Sequence, residues 1–469
     1  MSVKQIINYN SNNTYFTGFL QTIINNSQIN ASVSQNNNKI ELLIDTNDEK
    51  KLELFNENLA KYLPHSFFLG EIETLNSDEK IVPSDFKSDD YNIAPCPKCL
   101  ELIQDPSSQN YLDDSLQCTH YSNKGEKVYQ DFTIFSPHYS QDCAVLITNS
   151  EKIDELFIVT DDEIKALFSV EKPTIKVTIK DEILKNLTGK NYIFIKAPYN
   201  TRSLMASINA KESGVDYLFF EDTNDLKIIV IQKNKTIIKA SRVAKQLEFL
   251  NEDSVLNRFL NITKEAGFNQ SAIGVNLSNA GISFVVSNEV DVKKVINFQE
   301  FNLTTVLEQF KTNEKRIKLL ENFSKKYPKI AQEFEENSTM NLFETIATIL
   351  ELKEKSFESV CDKGYEFRGN GGLKIDTNFT KEGFDYNDFI GSIISFKLAG
   401  VEEHYLAYSI FEALADMSIT TLNQLKSKFN IQNFVMMGDM FENSILYSRI
   451  LSKFQLSNPY FSKDIALDD

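Results

Sequence analysis

Cys96-Pro97-Lys98-Cys99 sets two thiols in one tight turn, and after eighteen intervening residues comes Cys118-Thr119-His120-Tyr121. A Cys-x-x-Cys turn lets both thiolates reach one tetrahedral zinc ion, and a second such turn normally closes the site. Cys118 stands where that second turn would supply its first ligand, but Tyr121 stands where it would supply the next. Three sulfur donors are thus in place, and His120, His138 and Cys143 are the candidates for a fourth. The competing reading is a relic finger packed on reduced thiols, because small buried cysteines behave as apolar residues. A redox or metal-binding module acting through Cys96 and Cys99 alone is a third.

Other candidate groups are weaker. Gly369-Asn370-Gly371-Gly372 lacks the following Lys-Ser or Lys-Thr of a phosphate loop and is expected to be a flexible connection. The four histidines are His65, His120, His138 and His404, widely separated, and they form no nucleophile–base set with a serine or cysteine. Cys361 lies on a helical pattern and is expected in the core.

Length and charge bound what these groups can serve. A chain of 469 residues exceeds one hydrophobic core and implies several domains. The net charge of −17 argues against a nucleic-acid binder, which needs a basic face. Met1 to Asn10 has neither an apolar run nor a charged start, so no signal peptide is expected. No stretch reaches eighteen uninterrupted apolar residues, so no membrane insertion is expected. Five cysteines without an export signal fit thiols or metal ligands in a reducing cytoplasm.

The elements that must position these residues read as mixed α/β, an α+β multidomain chain. A helix is expected from Gly18 to Ile24, a strand from Lys39 to Ile44, a helix from Glu49 to Tyr62 and a strand from Phe67 to Glu73. Residues 77–90 form a polar linker, and 91–140 hold the cysteine region with a short helix at Leu100 to Ile103. Strands follow at Cys143 to Ile147, Thr174 to Ile179, Tyr192 to Lys196 and Lys227 to Gln232, with helices at Asp161 to Phe168 and Ser203 to Glu212. Thr160 and Glu163 fit a capping box. From about residue 241 the pattern changes to a hairpin around Ser278-Asn279-Ala280-Gly281, then long helices broken at Pro328, then a strand at Phe434 to Met437.

The cysteine region resembles the first zinc finger of the HypF carbamoyltransferase family of NiFe-hydrogenase maturation. Cys96-Pro97-Lys98-Cys99-Leu100, Asp105-Pro106, Tyr111 and Cys118-Thr119-His120 carry the likeness. The resemblance implies an acylphosphatase-like domain at 1–76, the linker at 77–90, a zinc-finger-like segment at 91–140, a partial YrdC-like domain at 141–240 and a Kae1-like domain of actin type at 241–469. The stretches Asp142 to Ile147, Val159 to Glu163, Lys172-Pro173 and Ala197 to Thr201 are similar to the later YrdC part, and a second finger and the first half of that domain are missing. The whole most resembles the accessory HypF-like variants found beside hydrogenases in ε-proteobacteria.

Where the family does chemistry, this sequence differs. In Phe16-Thr17-Gly18-Phe19, Thr17 takes the place of the phosphate-binding arginine, and Gln35 the place of the water-positioning asparagine. A hydroxyl cannot supply a guanidinium fork. Met437-Gly438-Asp439-Met440-Phe441-Glu442-Asn443 resembles the nucleotide-binding turn, with Gly438, Asp439 and Asn443 as the residual cofactor-binding positions. Asp439 replaces a glycine and sets a negative charge against a nucleotide's phosphates. The turn then reads either as residual nucleotide binding or as a strand-to-helix connection kept for packing. The family's metal-binding histidines are expected in Asn251 to Ile262, which holds none, and its final metal aspartate near Asp464.

The resemblance implies a cytoplasmic, non-catalytic accessory protein, a pseudoenzyme scaffold that binds a hydrogenase subunit or a maturation protein. Zinc at Cys96, Cys99, Cys118 and His120 is the implied cofactor, and Asp439 disfavours ATP. The alternative is an active carbamoyltransferase that uses carbamoyl phosphate and ATP to carbamoylate a partner's C-terminal cysteine for cyanide-ligand synthesis.

Overall fold

The computed structural model describes residues 2–36, 39–82, 86, 96–113, 116, 133–140, 143–221, 227–232, 235–240, 247–268, 271–288, 291–453 and 459–467. These fall into two units, Met1–Lys245 and Gln246–Asp469.

The first unit begins with β1 (Ser2–Tyr9), α1 (Tyr15–Ser27), β2 (Ala31–Asn36), β3 (Lys39–Asp45), α2 (Glu49–Tyr62) and β4 (Leu69–Ser77). The strands form an antiparallel sheet in the order β2-β3-β1-β4. Asp48 caps α2 by accepting the Lys51 N–H, which sets the expected start of that helix. β4 starts later than the expected strand at Phe67, because Phe67 and Phe68 are buried in a turn, with the Phe68 ring 5.8 Å from Tyr9. It also runs to Ser77, one residue into the expected linker.

After α3 (Pro97–Gln104) the chain forms β5 (Cys143–Ile147), α4 (Ile153–Leu156), β6 (Phe157–Ile158), α5 (Asp161–Leu167), β7 (Thr174–Ile179), α6 (Glu182–Thr188), β8 (Tyr192–Lys196), α7 (Thr201–Glu212), β9 (Tyr217–Glu221), β10 (Lys227–Gln232) and β11 (Lys235–Ala240). Their sheet is mixed, in the order β11-β10-β7-β8-β5-β9, with β6 paired to β7. The Thr160–Glu163 capping box is present at α5. Glu171, just beyond α5, joins this sheet to the first one by accepting the Tyr15 hydroxyl at 2.6 Å and the Ser66 hydroxyl at 2.5 Å.

The second unit comprises α8 (Ser254–Glu265), β12 (Ala272–Ser278), β13 (Gly281–Ser287), β14 (Val292–Glu300), α9 (Leu303–Phe310), α10 (Glu314–Lys326), α11 (Pro328–Glu336), α12 (Leu342–Ile349), α13 (Phe357–Tyr365), α14 (Tyr386–Leu398), α15 (Glu403–Phe429), β15 (Phe434–Met437), α16 (Ser444–Lys453) and β16 (Pro459–Phe461). Its sheet runs β14-β13-β12-β15-β16, antiparallel through the hairpin and parallel at β15 and β16. Ile273 and Val275 on β12 and Val435 on β15 are fully buried, and α8 lies so close that a Cβ at Gly274 would meet the Phe259 ring at 2.5 Å. Among the described residues no helix is long and apolar enough to cross a membrane.

The glycine stretch before α14 is anchored, against the expectation of a flexible connection. The Gly372 N–H donates to Glu412 at 2.5 Å and the Leu373 N–H to Ser409 at 2.9 Å. Glu412 is buried on α15 and also accepts Arg449 at 2.6 Å, so one carboxylate ties the glycine loop to α16.

Candidate functional site

The start of α1 and the strand β2 hold Thr17 and Gln35, the two positions that the resemblance aligns with a phosphate site. Thr17 lies in the first turn of α1 and is fully buried. Its hydroxyl donates to the Gln35 side-chain oxygen at 2.6 Å. The Gln35 amide nitrogen donates in turn to the Asn13 carbonyl at 3.0 Å and the Ser11 carbonyl at 3.4 Å. The two side chains therefore satisfy each other and stitch the β1–α1 loop to β2. From Tyr9 to Thr17 the loop contains no lysine or arginine, so it brings no cation of its own to a phosphate.

The second site lies at the end of β15. Gly438 has φ +103°, and a Cβ there would sit 2.2 Å from the Leu277 carbonyl oxygen, so only glycine fits this close crossing over β12. Asp439 follows, and its carboxylate accepts the Asn279 N–H at 2.7 Å, at the tip of the β12–β13 hairpin. Backbone N–H groups in such turns are what a phosphate would use, and here one is taken by a side chain that is itself anionic. Asn443 is fully buried and starts α16 by accepting the Leu446 N–H at 3.0 Å. Its Nδ2, together with Asn279 Oδ1 and Ser283 Oγ, is buried without a hydrogen-bond partner among the described residues. The geometry brings Gly438 and Asp439 against the hairpin and commits the Asn443 oxygen to helix capping.

The stretch expected to carry metal-binding histidines forms the capping loop and first turns of α8. Asn257 accepts the Leu250 and Asn251 N–H groups at 2.6 and 3.0 Å. Asn261 accepts the Glu248 N–H and donates to the Glu248 carbonyl, both at 2.9 Å. These amides are spent on the segment that precedes α8, and Arg258 between them is a cation with no lone pair to offer. The carboxylate of Asp253 is spent as well, accepting the Leu256 N–H at 3.1 Å and the Lys294 amine at 2.5 Å, so this donor set does not fit a divalent metal. Nearby, burial and then the Asp464 carboxylate hold Glu265 above the usual carboxylate range.

Of the cysteine region, Cys96 and Cys99 are described. Cys96 is the residue before α3 and Cys99 lies in its first turn, both buried, with Pro97 as the first helical residue. Soft, buried thiols three residues apart at a helix start are of a chemistry that suits zinc. Cys118, His120 and Tyr121 lie outside the described residues. Of the other candidates, His138 is exposed, and the Cys143 sulfur lies 2.8 Å from the Ser140 hydroxyl at the start of β5. Among the described residues, no three His, Cys, Asp or Glu side chains are grouped to hold a metal.

No family model matches the sequence. Protein HydE of Wolinella succinogenes is 21% identical over 482 aligned positions, covering 86% of this chain and 88% of the relative. The structure of full-length HypF in its phosphate- and nucleotide-bound form superposes with a TM-score of 0.61 at 12% identity, across 99% of this chain and 96% of that one. HypF from T. kodakarensis superposes with a TM-score of 0.59 at 13% identity, across all of this chain and 97% of that one. A likeness that spans both chains end to end covers the mixed α/β units described above, and the residue-level resemblance of the cysteine region points the same way. The chain shares the fold of HypF across its length and is similar in sequence to HydE.

Proposed function

We propose that this protein is an accessory factor of NiFe-hydrogenase maturation, a HypF-like scaffold that binds a hydrogenase subunit or maturation factor with little or no catalysis. The Thr17–Gln35 hydrogen bond carries the reading. A phosphoryl-transfer cradle needs donors aimed at the incoming oxygens, ready before the ligand arrives. Here the two side chains at those positions are turned on each other. Asp439 repeats the logic at the second site, where a carboxylate occupies a hairpin N–H. Apolar framework positions meanwhile keep their packing: Phe16, Phe19, Phe343 and Phe441 are all buried. Zinc, if bound, would be held by Cys96 and Cys99 with Cys118 and His120, and would brace the finger rather than react.

The test is carbamoyl-phosphate-dependent ATP hydrolysis by the purified full-length chain. No turnover above a protein-free control is expected. Measurable turnover would instead support a carbamoyltransferase acting on a partner's C-terminal cysteine. Pull-down from native cells should recover a hydrogenase subunit or maturation protein, and recovery of neither would remove the partner assignment.

A further inference from the structure

The side chains of α8 that face the chain's last described segment form a polar clamp. Arg258 and Glu265 are seven residues apart, about two helical turns, and so project from one side of the helix. Arg258 is 7% exposed and donates to the Ala466 carbonyl at 2.5 Å. Glu265 accepts the Tyr460 hydroxyl at 2.8 Å, the Ser462 hydroxyl at 2.6 Å and the Lys463 N–H at 2.6 Å. Ser462 accepts the Ile465 N–H at 2.8 Å and so closes the turn between the two grips. Ile465 then enters the core with Phe259, Ile262, Val285 and Met437.

We propose that this clamp replaces a divalent ion, so that the second unit holds its terminal segment, residues 459–467, through Arg258 and Glu265 without any metal. The resemblance places metal ligands on this helix and near Asp464. The structure instead buries a guanidinium on this helix, whose donors reach a backbone carbonyl, and spends the Glu265 carboxylate, which lies near Asp464, on the Tyr460 and Ser462 hydroxyls and the Lys463 N–H. A metal would cross-link side chains, whereas the arginine cross-links helix to backbone. The inference deepens the scaffold reading and rests on it, since a unit that has given up its metal still needs its fold secured.

The test uses the full-length chain, with Cys96→Ser/Cys99→Ser as the background that removes the knuckle's thiols. In that background no zinc, manganese or iron should copurify, and neither chelator nor added ion should change the melting temperature. Trypsin cleavage after Lys463, followed by mass spectrometry, reads the clamp directly. Arg258→Met should speed that cleavage roughly tenfold, the effect of losing one buried charged hydrogen bond. Arg258→Lys should recover part of the protection, and it serves alone if the methionine variant does not fold. Retained metal with a chelator-sensitive melting temperature, or cleavage unchanged in both variants, would overturn the clamp. Carbamoyl-phosphate-dependent turnover on the same preparation reports separately on the scaffold reading. Turnover with an intact metal-free clamp sinks only that reading, and a failed clamp without turnover sinks only this inference.

Discussion

The Thr17 hydroxyl is hydrogen-bonded to the Gln35 amide oxygen at 2.6 Å, between a helix and a strand eighteen residues apart in sequence. Two side chains at the positions that the resemblance aligns with a phosphate site thus form one interaction. Each residue is neutral, and each takes the partner that would otherwise have to be a ligand or water. That coupling spends both side chains inside the fold.

Thr17→Val and Gln35→Leu should therefore be non-additive. In a double-mutant cycle followed by urea unfolding, the coupling energy should be about 1 kcal/mol, the typical net worth of a buried neutral hydrogen bond. Additive effects would mean that the two side chains do not meet in solution, and the closed phosphate site would lose its basis.

Asp439 and Gly438 separate charge from shape. Asp439→Asn keeps an oxygen for the Asn279 N–H and removes the charge, so the melting temperature should hold while ATP affinity rises roughly tenfold, as expected for removing one repulsive charge near phosphates. A fluorescent ATP analogue reads the affinity. Gly438→Ala should cost about 3 kcal/mol or more through strain at positive φ and the clash with Leu277. Unchanged nucleotide affinity in Asp439→Asn would show that packing around the turn, and not charge, excludes the ligand.

Arg449 is the far end of the link that anchors the glycine loop. Arg449→Met should leave Glu412 less well paired and cost about 1–2 kcal/mol, held down because the guanidinium is partly exposed. The more specific readout is proteolysis at Arg368, which should accelerate as Gly372 loses its fixed acceptor. A variant destabilised globally but no more sensitive at Arg368 would uncouple the loop from Glu412.

Much of the architecture was readable from residue patterns, and the exceptions have physical causes. α2 spans Glu49–Tyr62 as expected because Asp48 caps it and Pro64 stops it. β7 was legible from its own β-branched run. β1 was not, because its apolar residues fall at Val3, Ile6, Ile7 and Tyr9 and break the two-residue alternation. Thr17, Gln35 and Asp439 could be singled out from sequence, but their hydrogen-bond partners could not. Asp439 meets Asn279 across 160 residues and Gly372 meets Glu412 across 40, and no local pattern encodes such pairings. The expectation of a flexible glycine loop failed for that reason.

Zinc content tests the knuckle independently of catalysis. The purified chain should carry about one zinc, and Cys96→Ser should lose it, since a three-thiolate site cannot spare a sulfur. Full zinc retention in that variant would place the metal elsewhere, and its absence from the wild type would leave the finger as a thiol-packed relic.

Lys172 offers a pH test of the junction between the two sheets of the first unit. It directly follows Glu171, which holds the Tyr15 and Ser66 hydroxyls, and its amine donates to the Phe168 carbonyl at 3.1 Å. Burial lowers the amine to about 8, and the Glu171 carboxylate opposes that shift in part. The folded state therefore holds fewer protons than the unfolded state between about 8 and the ordinary lysine value of 10.5, and stability rises with pH across that window. Below it, both states carry the charge and the folded state bears the full cost of burying it. Lys172→Met removes that cost, so the variant should be more stable than the wild type near neutral pH. Its advantage should shrink as pH rises through 8 and vanish near 10.5, because the wild-type amine is by then neutral in the folded state. Melting temperatures of the two proteins at pH values across this range read the difference. A constant offset would mean that the amine titrates normally and is solvated in the folded protein.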